Sequence, residues 1–355
     1  PPQGDDYFPI AVWLQDPANA ARYQAAGINL YVGLWQGPTE AQLEALRAAG
    51  MPVVCDQNEV GLRHLDDGII VAWMHGDEPD NAQALPEGGG YGPPIEPSVI
   101  VAGYQQIAAA DPSRPVLLNL GQGVAWDEYV GRGVRTNHPE DYPEYIKGAD
   151  IVSFDIYPVA STRPPITGNL YYVARGVERL RQWAAPEQPV WNCIEVGRIY
   201  AAANKATPEQ VRAEVWMSLI HGSTGLIYFV HEWYPQFNEH ALLDDPEMLA
   251  AVTALNAQIR ELAPVLNSPT IGDGVQVTSA AAAVPVAAMV KRYGGATYLF
   301  AAAMRDGATT ATFALAGGPT AGTAEVLGEG RSVPLAGGVL TDAFGPYGVH
   351  LYRVK

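Results

Sequence analysis

Apolar positions along the chain fall into two alternating rhythms. Short, nearly continuous apolar runs span Phe8 to Leu14, Ile28 to Leu34, Pro52 to Gln57, Ile69 to His75, Pro115 to Leu120, Asp150 to Tyr157, Pro189 to Glu195 and Gly225 to His231. Runs without in/out alternation are what strands buried on both faces of a parallel sheet require. Between them lie amphipathic segments such as Thr39 to Ala49, closed by Gly50, and Thr207 to His221, closed by Gly222. Each opens on a threonine suited to an N-cap, and Thr207 is followed by Pro208 and Gln210, a capping-box spacing. Eight βα periods in about 250 residues predict an α/β fold, a (β/α)8 TIM barrel over residues 1–266. Beyond Asn267 to Pro269 the helical period disappears. Short β-prone runs follow at Val275 to Thr278, Ala287 to Tyr293, Ala296 to Ala303, Thr309 to Leu315, Ala324 to Leu327 and Val349 to Val354. They predict a small all-β antiparallel sandwich over 270–355.

Composition narrows the partners. The 355 residues hold 21 Lys and Arg against 38 Asp and Glu, a formal charge of −17, which argues against nucleic acid. No apolar run approaches the roughly 18 residues needed to cross a bilayer, so no membrane partner is expected. The chain opens on Pro1-Pro2 without an initiator Met, which suits a mature form trimmed of an upstream signal; the expectation is a secreted or periplasmic protein. Cys55 and Cys193 sit in apolar strand sequence and are expected to be buried free thiols. Oligomeric state is not legible.

Two connections are too long for simple βα turns, Asp80 to Pro97 and Gly121 to Gly148. Both follow strand C-termini, the face on which such barrels carry their sites. Strand ends deliver Trp13 (first), Trp35 (second), His75, Asp77 and Glu78 (fourth), Asn119 (fifth), Asp155 and Tyr157 (sixth), Asn192 and Glu195 (seventh) and His231, Glu232 and Trp233 (eighth); Trp126 lies in the second long loop. Glu78 and Glu195 each close an apolar run three strands apart, across the mouth of an eight-stranded barrel. Facing carboxyls are what glycoside hydrolysis needs, one as acid and one to attack or to activate water. Indole rings at the rim supply apolar faces on which sugars stack. Trp73, Trp191 and Trp216, inside elements, are expected in the core.

This arrangement resembles the retaining glycoside hydrolases of clan A, whose (β/α)8 barrel carries the acid/base at the end of strand 4 and the nucleophile at the end of strand 7. The resemblance covers about 260 residues and rests on short motifs. It implies Glu78 as acid/base and Glu195 as nucleophile, with carboxyls about 5–5.5 Å apart. The family's Asn-Glu-Pro turn reads Asp77-Glu78-Pro79 here. The family's Asn binds the sugar 2-hydroxyl, so Asp77 changes that contact, and its like charge would favour a protonated Glu78. Tyr157 and Trp233 look like the family's nucleophile-orienting tyrosine and sugar-stacking tryptophan. Trp13, Trp35, His75, Asp77, Asn119, Trp126, Asp155, Tyr157, Asn192, His231, Glu232 and Trp233 are the expected substrate contacts. The implied activity is double-displacement hydrolysis of β-glycosidic bonds in an oligo- or polysaccharide.

Rival readings are fewer. His75, Glu78, Asp155 and His231 can be drawn as a metal site of a sugar-processing barrel enzyme, but their spacing matches no compact ligand motif, so no cofactor and no metal are expected. No GxSxG elbow or P-loop is present, and Gly88-Gly89-Gly90 lacks the context of a dinucleotide site. A non-catalytic glycan-binding protein on the same barrel would keep the aromatic rim, and both glutamates argue against it.

Overall fold

The computed structural model describes residues 4–86 and 88–355; Pro1, Pro2, Gln3 and Glu87 lie outside the described residues. Eight parallel strands form the first sheet: β1 (Ile10–Trp13), β2 (Leu30–Val32), β3 (Val53–Asp56), β4 (Ile70–Met74), β5 (Val116–Leu120), β6 (Ile151–Phe154), β7 (Asn192–Glu195) and β8 (Leu226–Phe229). Each pairs with its neighbour in chain order, β1 pairs with β8, and β6 meets β7 through the Val152–Val190 bridge, so the sheet closes on itself. The expected TIM barrel is present.

Around it run α1 (Ala20–Ala25), α2 (Glu40–Ala49), α3 (Glu59–Leu62), α4 (Pro97–Ala110), α5 (Tyr142–Tyr145), α6 (Tyr171–Trp183), α7 (Pro208–Ile220), α8 (Ala241–Asp244) and α9 (Pro246–Leu266). Thr39 and Thr207 close capping boxes with Gln42 and Gln210, and Gly50 ends α2 in the left-handed region at φ 66°.

Strand residues alternate between two cores. Ala11, Trp13, Val32, Met74, Leu117 and Cys193 fill the lumen, whereas Val12, Tyr31, Trp73, Leu118, Phe154 and Ile194 pack under the helices. This alternation decides which strand-end side chains reach the mouth. Cys55 and Cys193 are both buried and unbridged, as expected.

Beyond α9 lies a second sheet of eight antiparallel strands, in the order β10-β11-β16-β13-β14-β15-β12-β9. They are β9 (Val275–Ser279), β10 (Val286–Tyr293), β11 (Ala296–Ala303), β12 (Thr309–Leu315), β13 (Ala321–Val326), β14 (Arg331–Ala336), β15 (Val339–Phe344) and β16 (Val349–Val354). Six of them match the apolar runs. β14 and β15 are additional: they are half exposed, and their alternating polar positions and flanking glycines hide them from a search for apolar runs.

Helix α7 joins the two units. It is buried on nearly every side, with Trp216 meeting Phe300 of β11 at 5.2 Å and Arg212 donating to the Val349 carbonyl of β16 at 3.0 Å. An all-round apolar helix needs cover on both faces. The barrel covers one and the second sheet the other. No helix is long and apolar enough to cross a membrane among the described residues.

Helix α6 approaches the barrel too closely for any side chain at Gly176, where a Cβ would lie 2.2 Å from the Phe154 ring. Gly176→Ala should therefore destabilise the fold by about 1–3 kcal/mol of overpacking, despite alanine's better helix propensity. Urea unfolding followed by circular dichroism checks it; an unchanged midpoint would show that α6 can move away.

Candidate active site

The two long connections are built structures. Residues 80–96 include an antiparallel bridge between Ala84 and Tyr91, and residues 121–148 hold short helical turns and α5. One buried hub ties them together. The Asp80 carboxylate is fully enclosed and accepts from the Gly121 amide (2.9 Å) and the Tyr142 hydroxyl (2.9 Å), while Arg132 Nε donates to the Asp80 carbonyl (3.2 Å). Arg132 is itself buried, lies over the Tyr142 ring at 4.8 Å and pairs with Asp141 at 2.7 Å.

Just before this hub, the chain leaves β4 through His75-Gly76-Asp77-Glu78. Glu78 sits at φ 42°, a left-handed conformation that costs a non-glycine residue about 1–3 kcal/mol and is held by its surroundings. Its amide donates to the Asn119 carbonyl at 3.0 Å, and its own carbonyl accepts from the Asn81 amide at 3.1 Å. The strained turn sets the Glu78 carboxyl against that of Asp155, just beyond β6, and the two hydrogen-bond.

Loss of solvation, first, and the charge of Asp155, second, raise the Glu78 carboxyl well above the usual carboxylate range, with Asp77 and Asp80 adding to the effect. Burial raises Asp155 to about 6 even though Glu78 donates to it. The pair therefore favours holding one proton, with Glu78 the stronger site for it. Asp77 faces the open mouth, yet the surrounding protein raises it to about 7, despite the 2.9 Å bond from Asn119 Nδ2. Ser153 Oγ donates in turn to Asn119 Oδ1 at 2.7 Å, so an Asp77–Asn119–Ser153 chain lines the lumen.

Aromatic rings form a continuous bank that starts beside Asp155. Tyr157 meets Phe229 at 4.9 Å, Phe229 stacks on Trp233 at 5.8 Å and 10°, and Trp233 leads to Phe237 at 5.7 Å. This bank runs from the lumen to the surface, where Trp233 is 42% and Phe237 59% exposed. His231 lies beneath, edge-on to Trp233 and donating to the Leu14 carbonyl at 3.2 Å. Glu232 on the rim pairs with Arg198 at 3.0 Å. Trp13 is enclosed within the lumen and Trp35 stands out on the rim, 70% exposed. Trp126 packs on Tyr129 at 6.0 Å and lines a groove of about 520 Å³ with Asn137 and Arg163.

Three expected site residues do not join this cluster. His75 has the outward alternation of Trp73 and donates to the Ile100 carbonyl of α4 at 3.0 Å, between barrel and helices. Asn192 likewise turns outward and donates to Ser218 Oγ of α7 at 2.8 Å. The metal site drawn through His75 is therefore not assembled, and no trio of His, Cys, Asp or Glu is arranged to share an ion among the described residues. Glu195 follows the inward alternation of Trp191 and Cys193, but it is fully buried. Its oxygens accept from the Val159 and Ala160 amides at 2.6 Å each, and its carboxyl meets Glu214 of α7. Asp155, not Glu195, is the carboxyl bonded to Glu78.

Other contributors were not singled out in the sequence. Tyr129 and Tyr200 stand within the field of Glu78 and Asp155, and Gln122 Nε2 donates to the Tyr200 hydroxyl at 3.0 Å. Both tyrosines come from loops without periodicity, which carry no positional signal. Glu214 had one: an acid in the apolar run VRAEVWMSLI.

The fold and the mouth define a (β/α)8-barrel protein with a Glu78–Asp155 carboxyl pair and an aromatic bank at its mouth. No protein-family profile and no curated protein sequence matches the chain. Solved structures do resemble it. AmyP bound to maltotriose superposes with a TM-score of 0.58 at 10% identity, covering 99% of this chain and 98% of that one. An α-amylase of Anoxybacillus gives 0.58 at 10%, covering 99% and 98%. A GH27 β-L-arabinopyranosidase of Geobacillus stearothermophilus, bound to arabinose, gives 0.53 at 11%, covering 98% and 97%. At such identities the likeness is one of fold, barrel and C-terminal sheet together.

Tyr142→Phe keeps the ring over Arg132 but removes the hydroxyl from buried Asp80. We expect a loss of about 1–3 kcal/mol in urea unfolding, the cost of an unpaired buried acceptor; an unchanged stability would mean that the hub does not hold the loops.

Proposed function

We propose that the chain is a glycoside hydrolase that cleaves β-glycosidic bonds of an oligo- or polysaccharide with retention of configuration, with Glu78 as acid/base and Glu195 as the second carboxylate. The observation that carries this reading is the placement of the Glu78 carboxyl at the end of β4, enclosed beside Asp155, which raises it well above the usual carboxylate range. A leaving glycosidic oxygen needs a proton at neutral pH, and an acid kept neutral by burial and a carboxylate neighbour can deliver it. Asp155 raises the proton affinity of Glu78, so it serves as the partner that retains the proton.

Trp233 and Phe237 offer stacking faces for the sugar whose bond is cut and for its neighbour, and Trp35 and the Trp126 groove offer outlying ones. Asp77 and Asn119 supply acceptors and donors for sugar hydroxyls. Glu195 closes β7 on the inward alternation, and attack requires its carboxyl to turn from the Val159 and Ala160 amides toward the mouth. Similar solved structures carry saccharides, maltotriose in one and arabinose in another, which supports a saccharide ligand. The choice of β-linkage follows the strand 4 and strand 7 placement of the glutamates.

Two observations favour other readings of the same mouth. Several similar solved structures are α-amylases, which favours an α-linked substrate. The enclosure of Glu195 favours a glycan-binding protein without turnover. A panel of chromogenic α- and β-glycosides and polysaccharides separates the three. We expect release from β-glycosides, with anomeric retention by NMR, and a loss of about 10²–10⁴-fold in kcat/KM for Glu78→Gln without loss of saccharide binding. Release from α-glycosides alone would overturn the linkage, and binding without release by the wild-type protein would overturn the hydrolase.

The Glu78–Asp155 pair gives a pH prediction with a definite sign. Asp155 raises the Glu78 pKa, so Asp155→Asn should let Glu78 lose its proton at lower pH. The alkaline limb of the kcat/KM profile should move to lower pH; a limb that stays or moves up would separate Asp155 from the acid.

A further inference from the structure

Helix α7 presents a single acid to the barrel. Glu214 is fully buried, and Ser218, one turn on, donates to the Glu214 carbonyl at 2.7 Å while accepting from Asn192 of β7 at 2.8 Å. That contact fixes the helix against the strand. One turn nearer the mouth, the Glu214 carboxyl lies against Glu195, at the end of the same strand.

The two acids are treated differently by their surroundings. Glu195 accepts two backbone N–H groups at 2.6 Å each. Among the described residues, neither Glu214 oxygen receives an N–H or O–H from any other residue type. Among the described residues no cation is a cause of the Glu214 shift: Arg212 donates to the Val349 carbonyl, and Trp216 packs on Phe300 of the second sheet. The Tyr200 phenol, in the loop between β7 and α7, also senses Glu195. Two touching carboxyls cut off from solvent cannot both be ionised. The charge belongs where the amides are, on Glu195, and the proton belongs on Glu214.

We propose that Glu214 is a positioning residue for Glu195: its neutral carboxyl donates an O–H to the Glu195 carboxylate, fixing that group against the Val159 and Ala160 amides and favouring its ionised form. This rests on the reading of Glu195 as the second carboxylate of the hydrolase. The proton passes to no one in this role; it stays on Glu214, which lets Glu195 ionise at a lower pH than burial alone would allow. The direction of the shifts agrees, since burial and the Glu195 charge hold Glu214 well above the usual range, whereas the Glu214 bond lowers Glu195, which burial would otherwise raise further than its value of about 7.

The test is a 13C-glutamate NMR titration of the full chain, with each resonance assigned by its loss in Glu214→Gln or Glu195→Gln. In the wild-type protein the Glu214 resonance should remain that of a neutral carboxyl at pH 7. In Glu214→Leu the midpoint of Glu195 should rise by about one pH unit, a tenfold change in proton affinity, and in Glu214→Gln, whose amide can still donate, it should stay near the wild-type value. An ionised Glu214 at pH 7 in the wild-type protein overturns the proposal without recourse to any variant. A Glu195 midpoint unmoved in folded Glu214→Leu overturns it as well. Kinetics separates this from the wider reading: if Glu195→Gln hydrolyses as the wild type does, the catalytic role of Glu195 fails whatever the titration shows. If Glu195→Gln is inactive and the titration shows no coupling, only the role of Glu214 fails.

Discussion

Carboxyl groups held together without a cation are the constraint around which this molecule is arranged. Asp155 touches Glu78 at the mouth, and Glu214 touches Glu195 behind it. A buried carboxylate beside another is tolerable only when one of the two keeps its proton. Each pair therefore holds a neutral acid at a pH where free glutamate is ionised. The −17 charge of the chain extends the same bias, since it supplies little positive potential to draw these protons off.

Keeping such pairs in contact takes rigid support. At the mouth it comes from the Asp80 hub, where Gly121, Tyr142 and Arg132 lock the two long connections to each other and leave Glu78 on a strained turn. Behind the mouth it comes from α7, whose face toward the barrel carries Glu214 and whose far face is roofed by β11 and β16. The second sheet also reaches the loop that supplies the Val159 and Ala160 amides: the Tyr347 hydroxyl donates to the Gly168 carbonyl, and Arg305 lies 3.6 Å from the Tyr171 ring centroid at the start of α6. The C-terminal sheet thus completes the burial on which the inner carboxyl pair depends.

The same economy shapes the mouth. The mouth carries acids and amides, Asp77, Glu78, Asn119 and Asp155, and a bank of rings that starts at Tyr157, beside Asp155, and runs out to Phe237. A ligand with a polar edge and an apolar face suits the two, which is the chemistry of a pyranose or furanose ring.

Much of this was legible from the chain alone. Continuous apolar runs flanked by Thr and Gly caps specify eight βα units, because strands buried on both faces tolerate no alternation, and that period fixes the barrel and the end of it that bears the site. Glu78, Asp77, Asn119, Asp155, Tyr157 and Trp233 followed, since each ends a strand. What the sequence could not settle was direction. His75 and Asn192 also end strands, but the alternation of side chains turns them toward α4 and α7, and only the closed sheet fixes that parity. Glu195 has the inward parity, yet the Val159 and Ala160 amides and Glu214 decide where its carboxyl lies, and these come from a loop 35 residues before it and a helix 19 residues after it. Local sequence determines elements and their ends; the contacts that set the charge of a buried acid are made by groups remote in the chain, so they exist only once the tertiary structure has closed around them.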